Sequence, residues 1–294
     1  MSEIQSVAVI GAGTMGNGIA QICSMSGLNV TLVDTQDSFI QRGVDNVKTS
    51  LARFVKSQKL TQEQADAVLA RIGTSTSLSD AVKDADIIIE VVPEKLDLKQ
   101  AVFQQIAKAA KPDAVLATNT SQLSITAIAS AIDRPQDVIG THFFNPPVMM
   151  KLVEVVRGLK TSDRALEVAL ALAKKLGKEA AVCNRDTVGF ITTRAIAALR
   201  LECVRMYEEG VASMEDIDRA MRLGFNHPMG QFELTDFNGL DVALLNTLSL
   251  KDAYGERFNP PQSLVARVKA GQLGRKTGAG WYDYTDPKSP KPTK

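Results

Sequence analysis

Histidine, cysteine and net charge are scarce in this 294-residue chain. The three cysteines, Cys23, Cys183 and Cys203, form no close pair. That excludes a disulfide framework and a cysteine-built zinc site, no metal is expected, and free thiols in a reducing compartment fit. A net charge of +1 gives no electrostatic case for nucleic acid or an anionic membrane surface. No apolar run approaches the ~18 residues that span a bilayer. Repeats are absent, and low complexity is confined to the polar stretch 287–294. The first strand pattern starts almost at Met1, so neither signal nor transit peptide is expected and a cytoplasmic location is. With two histidines, imidazole chemistry falls to His142 or His227. His227 precedes Pro228 in a helix-helix corner and reads as structural.

The chain is organised around its first 34 residues. Val7, Val9 and Ile10 belong to a short apolar run, the pattern of a buried parallel strand. Gly11, Gly13 and Gly16 follow with the spacing G-x-G-x-x-G, and Ile19, Ile22 and Cys23 then recur at helical spacing. The glycines serve, in order, a tight turn, close backbone approach and helix-strand packing. The following helix start, with Thr14 and Met15, offers free N–H groups to a pyrophosphate. A second strand ends at Asp34, 21 residues after Gly13 (34 − 13). There a carboxylate can accept from a ribose 2′-OH, so NAD is the expected cofactor.

Two amphipathic helices, 37–56 and 62–70, come next. They interrupt the β-α-β alternation and are expected to project from the sheet. They read as a solvated hairpin or as a flap over a long ligand, with Lys56 and Lys59 as phosphate contacts. Alternation then resumes with strands at 87–92, 115–118 and 138–142 and a helix at 96–110. Ligands of open parallel sheets bind outside the carboxyl ends of strands. Glu94, Ser121 and His142 therefore share the rim of the glycine turn. Asn-Pro-Pro at 145–147 is a turn signal. If the chain doubles back at residue 148, His142 faces Glu154. A carboxylate beside an imidazole fixes its tautomer and raises its basicity, as a general base requires. A helix at 162–176 and a strand at 179–183 close this half. Asn184-Arg185-Asp186 reads as the junction between domains 1–186 and 187–294. The second half is patterned as helices at 190–209, 214–223, 231–238, 240–254 and 263–270. The long helix from Phe190 looks apolar around most of its surface, so burial on several sides is expected, and a dimer interface would supply it.

These segments resemble the L-3-hydroxyacyl-CoA dehydrogenase family, especially its short-chain 3-hydroxybutyryl-CoA members. The resemblance is carried by Gly-Ala-Gly-Thr-Met-Gly at 11–16, Asn-Thr-Ser-Gln-Leu-Ser at 119–124 and His-Phe-Phe-Asn-Pro-Pro at 142–147. Met-Lys-Leu-Val-Glu-Val at 150–155 and Gly-Arg-Lys-Thr-Gly-Ala-Gly-Trp-Tyr at 274–282 add to it. It implies an α/β fold: a Rossmann-type, mostly parallel sheet domain with a helical insertion, then an all-α domain for substrate binding and dimerisation. It implies NAD-dependent interconversion of a 3-hydroxyacyl-CoA and a 3-ketoacyl-CoA in fatty acid metabolism. His142 takes the role of base, Glu154 of its partner, and Ser121 of the hydroxyl on the reacting oxygen. Glu94, Lys99, Ser121, Asn145 and Lys276 map to cofactor contacts; Ser121, Asn145 and Lys56 are candidate substrate contacts. The chain departs from the family at three places: Thr193 replaces a catalytic-site asparagine, Val188 a proline, and Gln231 another proline. Two alternatives stand beside this reading. One is a dehydrogenase of a free 3-hydroxy acid or sugar acid. The other, motivated by Thr193, is an NAD-binding protein without turnover.

Overall fold

The computed structural model describes residues 4–286 and 289–293. They fall into two compact units, Met1–Thr187 and Val188–Lys294.

In the first unit the elements run β1 (Ser6–Ile10), α1 (Thr14–Met25), β2 (Asn29–Val33), α2 (Asp37–Lys56), α3 (Gln62–Ala70), β3 (Ile72–Ser75), α4 (Leu78–Val82) and β4 (Ile87–Glu90). Then come α5 (Leu96–Ala109), β5 (Val115–Thr118), α6 (Ile125–Ala129), β6 (Val138–Phe143), β7 (Leu152–Arg157), α7 (Asp163–Lys175) and β8 (Glu179–Cys183). The strands form one eight-stranded sheet ordered β3-β2-β1-β4-β5-β6-β7-β8. Neighbours pair in parallel except β6 and β7, which are antiparallel. Central strands such as β4 are apolar at successive residues because helices cover both faces.

The expectation of a projecting insertion is corrected. After α3 the chain enters β3, which pairs in parallel with β2 at the sheet edge. So α2 and α3 are the crossover of an ordinary parallel unit. α2 buries Ile40, Gly43, Val47 and Leu51. A Cβ on Gly43 would stand 2.8 Å from the Ala12 carbonyl oxygen, so the helix rests directly on the glycine turn. Val47, Leu51, Ala65 and Val68 form a small core of their own between the two helices. The α3 start is held by Thr61 and Gln64, whose reciprocal hydrogen bonds make a capping box.

The second unit contains α8 (Thr192–Glu208), α9 (Met214–Phe225), α10 (Gln231–Asn238), α11 (Leu240–Tyr254), α12 (Gln262–Lys269), β9 (Tyr282–Asp283) and β10 (Lys291–Pro292). It is helical apart from one short pair: β10, in what the sequence presents as a polar tail, runs antiparallel to β9. Pro287, Lys288 and Lys294 of that tail lie outside the described residues. α8 is also less enclosed than expected. It buries Ala197, Arg200, Leu201, Cys203 and Val204, while Ala195, Ala198 and Glu202 face outward. The core gathers around the fully buried Trp281, packed edge-on to Tyr207 and Phe232. The glycine-rich stretch 274–282 wraps buried Asp236, which accepts from the amides of Trp281 and Tyr282 and from the Tyr284 hydroxyl. A Cβ on Gly280 would fall 2.0 Å from its Oδ1, so only glycine fits there.

Candidate active site

The carboxyl ends of β1, β4, β5 and β6 carry the residues of interest. At β1, Gly11 has φ +112, and a Cβ there would meet the Val91 carbonyl oxygen at 2.7 Å. A Cβ on Gly16 would lie 1.7 Å from the Gly11 carbonyl oxygen, whereas Gly13 has nothing within 4 Å. Gly13 is the N-cap of α1 with no side-chain cap, so the first-turn amides of Thr14 and Met15 have no capping side chain. A diphosphate fits this cradle: open at one glycine, closed at two, at the positive end of a helix. Asp34 Oδ2 accepts from the Ala12 amide at 2.8 Å and Oδ1 from the Thr35 amide at 2.7 Å, which sets the carboxylate beside the turn.

The antiparallel return of β7 pairs His142 with Glu154 in register. Their side chains meet: His142 Nδ1 lies 2.7 Å from Glu154 Oε2, and Glu154 is wholly buried. The other ring nitrogen, Nε2, lies 3.0 Å from Ser121 Oγ. Phe144 stands against the imidazole, ring centroids 4.5 Å apart. A buried carboxylate accepts a hydrogen bond from Nδ1–H, which leaves the Nε2 lone pair pointing at Ser121.

Glu94 organises the Ser121 loop. Its Oε1 accepts from Thr120 Oγ1 and from the amides of Ser121 and Gln122. Lys99 is placed differently from expectation. It is 0% exposed, and its ammonium bridges both oxygens of the equally buried Glu90 at 2.8 and 3.0 Å. The ammonium also reaches the carbonyls of Val92 and Asn119. Lys99 thus has no surface to offer a cofactor; it ties the ends of β4 and β5 from beneath. Burial pushes the Glu90 carboxyl above its usual range despite Lys99, Thr118 and the Val92 amide. Sequence reading missed Glu90 and Asn119. Glu90 had a signal, since a carboxylate closing an all-isoleucine strand needs a cationic partner. Asn119 opens the motif at 119–124 and was given no role: its Oδ1 accepts from the Phe143 amide at 2.9 Å, next to His142.

A cavity of about 580 Å³ opens beside the glycine turn. Thr14, Asn17 and Gly18 of α1, Thr49, Ser50 and Arg53 of α2, Lys59, and the loop 145–149 line it. Asn145 lies in this wall; Lys56 does not, being exposed elsewhere on α2, and Arg53 and Lys59 supply the positive charge instead. In the second unit, Thr193 sits half-buried in the first turn of α8. The Lys276 ammonium pairs with both carboxylate oxygens of Asp241, at 2.6 and 2.7 Å.

Both units match known proteins. Residues 6–187 match the 3-hydroxyacyl-CoA dehydrogenase NAD binding domain, and residues 189–284 match the C-terminal domain of the same family. The chain belongs to the 3-hydroxyacyl-CoA dehydrogenase family. It is 41% identical to a 3-hydroxybutyryl-CoA dehydrogenase of Bradyrhizobium diazoefficiens, over 99% of both chains. It is 40% identical to the mitochondrial hydroxyacyl-coenzyme A dehydrogenase of Rattus norvegicus, covering 96% of this chain and 91% of that one. The crystal structure of (S)-3-hydroxybutyryl-CoA dehydrogenase from Ralstonia eutropha superposes with a TM-score of 0.91 at 43% identity, covering 95% of this chain and 98% of that one. Among the described residues, no helix is long and apolar enough to cross a membrane.

Proposed function

We propose that this family member interconverts a short-chain 3-hydroxyacyl-CoA and the 3-ketoacyl-CoA with NAD, using His142 as general base. The observation that carries this reading is the hydrogen-bonded chain Ser121–His142–Glu154, with contacts of 3.0 and 2.7 Å. In the oxidative direction Ser121 Oγ and His142 Nε2 hold the substrate's 3-hydroxyl between them. Nε2 takes the hydroxyl proton as the hydride leaves C3. NAD supplies the hydride acceptor, held by the glycine cradle. Glu154 keeps the proton on Nδ1 and stabilises the imidazolium that forms. In the reductive direction the imidazolium returns the proton. The coenzyme A portion lies in the cavity beside α2, whose wall includes Arg53 and Lys59 and no carboxylate. A free hydroxy acid would have no use for that cavity. In the second unit, Thr193 offers one hydroxyl where the family carries an amide. A cytoplasmic site of action fits this reading.

Loss of absorbance at the reduced-nicotinamide band with acetoacetyl-CoA as substrate tests the proposal. Turnover of acetoacetate but not of its CoA ester favours the free-acid alternative; binding of NADH without any turnover favours the non-catalytic one.

Cofactor choice follows from Asp34. Its carboxylate repels a 2′-phosphate and accepts from a 2′-hydroxyl, so kcat/KM favours NAD over NADP. Asp34→Ala narrows that ratio by about tenfold or more, the scale of one hydrogen bond to a charged group. An unchanged ratio would remove Asp34 from cofactor selection.

The protein works as a homodimer through its second unit. Eight of the thirteen exposed large apolar side chains lie there, including Leu223, Phe225, Val242, Leu245 and Leu248. Exposed apolar residues this concentrated mark an interaction surface. Light scattering at assay concentration gives twice the 31.7 kDa chain mass; a value at the chain mass itself would refute the dimer.

A further inference from the structure

The loop 144–151 joins the two catalytic strands and also walls the cavity, through residues 145–149. It is short of anchors of its own. Met149 is 57% exposed, and the amides of Met149 and Met150 turn back onto the single carbonyl of Pro146. On the α1 side it rests on Gly18, where a Cβ would meet Pro147 at 3.0 Å. On the far side the Glu179 amide donates to the Lys151 carbonyl at 2.9 Å, at the loop's end, and an ammonium holds the turn itself. Lys178 Nζ donates to the carbonyl of Pro147 at 2.6 Å and to that of Met150 at 2.5 Å.

Lys178 reaches this place because of how α7 ends. Gly177, with φ +65, stops the helix, and β8 then pairs Glu179 with Leu152. Lys178 is thereby set one residue outside the sheet, under the loop. Among the described residues no carboxylate pairs with it, and burial lowers its ammonium below the usual lysine range. A charged group half-buried on carbonyls alone is an unfavourable arrangement for stability by itself. Its return is the shape of the loop.

We propose that Lys178 is a positioning residue for the acyl-CoA site. It draws the two ends of the 147–150 turn together and so holds the cavity wall in its binding shape before substrate arrives. This rests on the placement of coenzyme A in that cavity. Without the tie, binding must itself order the loop, and apparent affinity falls by the fraction of time the wall is formed. Once substrate is bound the wall is in place. His142 is held separately, by the β6–β7 register and by Glu154, so the chemical step is spared.

The test compares Lys178→Met and Lys178→Arg with the wild-type protein. Lys178→Met raises KM for acetoacetyl-CoA about tenfold, while kcat and the KM for NADH stay within about twofold. Lys178→Arg keeps a charged donor and recovers most of the loss. Hydrogen exchange read by mass spectrometry shows the Met149 and Met150 amides opening faster in Lys178→Met than in wild type or Lys178→Arg. An unchanged KM for acetoacetyl-CoA, or a fall in kcat alone, overturns the proposal. If wild type fails to turn over acetoacetyl-CoA, the functional reading has failed. The exchange rates then still decide the tie: equal rates in wild type and Lys178→Met refute it.

Discussion

Lys99→Met should lower the stability of the first unit by roughly 3–5 kcal/mol, the usual cost of leaving one member of a buried ion pair behind. Calorimetry should place its melting temperature on the order of 10 °C below wild type, at about 2–4 °C per kcal/mol for a unit of this size. The side chains are close in volume, so packing is nearly conserved and the loss is electrostatic. What remains is Glu90, wholly buried, with only Thr118 and the Val92 amide as donors. The carboxyl answers by binding a proton. The sign of the pH dependence follows. Glu90 already has a folded-state pKa above its ordinary value, and removing Lys99 raises it further. Above the ordinary glutamate range the native state then binds more protons than the unfolded chain, so its stability falls as pH rises. The deficit of Lys99→Met should therefore be smaller at pH 5 than at pH 8. Lys99→Met combined with Glu90→Leu should recover much of the loss, because an apolar pair at such a site is often as stable as the ions. A single variant that melts with wild type would show that the ion pair contributes nothing to holding β4 and β5 together.

His142→Gln should reduce kcat by about 10²–10⁴-fold, the contribution of a positioned general base. The glutamine amide can still donate to Glu154, so the buried carboxylate keeps a partner and the fold should survive. NAD binding, measured by calorimetric titration, should be unchanged, since the glycine turn and Asp34 do not touch the ring. Glu154→Gln should also lower kcat, by less, because an amide can orient the imidazole but does not stabilise its cation. The pair should be strongly non-additive, as residues acting on one proton are. A kcat for His142→Gln within threefold of wild type would mean that another group takes the proton.

The glycine turn illustrates what reading residues in order can reach. Gly11, Gly13, Gly16 and Asp34 are close in sequence, and strand, turn and helix at that spacing admit few geometries. The same holds for His142 and Glu154. A turn signal halfway between them was enough to set them opposite, because antiparallel register follows from where the turn sits. Most helix bounds, including Asp37–Lys56 and Gln62–Ala70, were equally legible from period and caps.

β3 was not legible, and the reason is physical. Ile-Gly-Thr-Ser has one apolar residue in four; it is a strand because β2 offers it an unpaired edge. Missing it made the α2–α3 crossover look like an insertion. Lys99 was misjudged for a related reason. Its sequence neighbours are helical and polar, and only the close approach of β4 and β5 buries its ammonium on Glu90. Arg53 lines the cavity wall and Lys56 does not, because the wall is completed by a loop about a hundred residues away. By itself, then, the sequence determined the local chemistry of this protein: the cofactor turn, the acid at its side, and the histidine with its carboxylate. Tertiary structure alone decided which charges are buried, which face the cavity, and which hold a wall in place. Burial and charge pairing depend on distances between segments far apart along the chain, and no local pattern of residues encodes those.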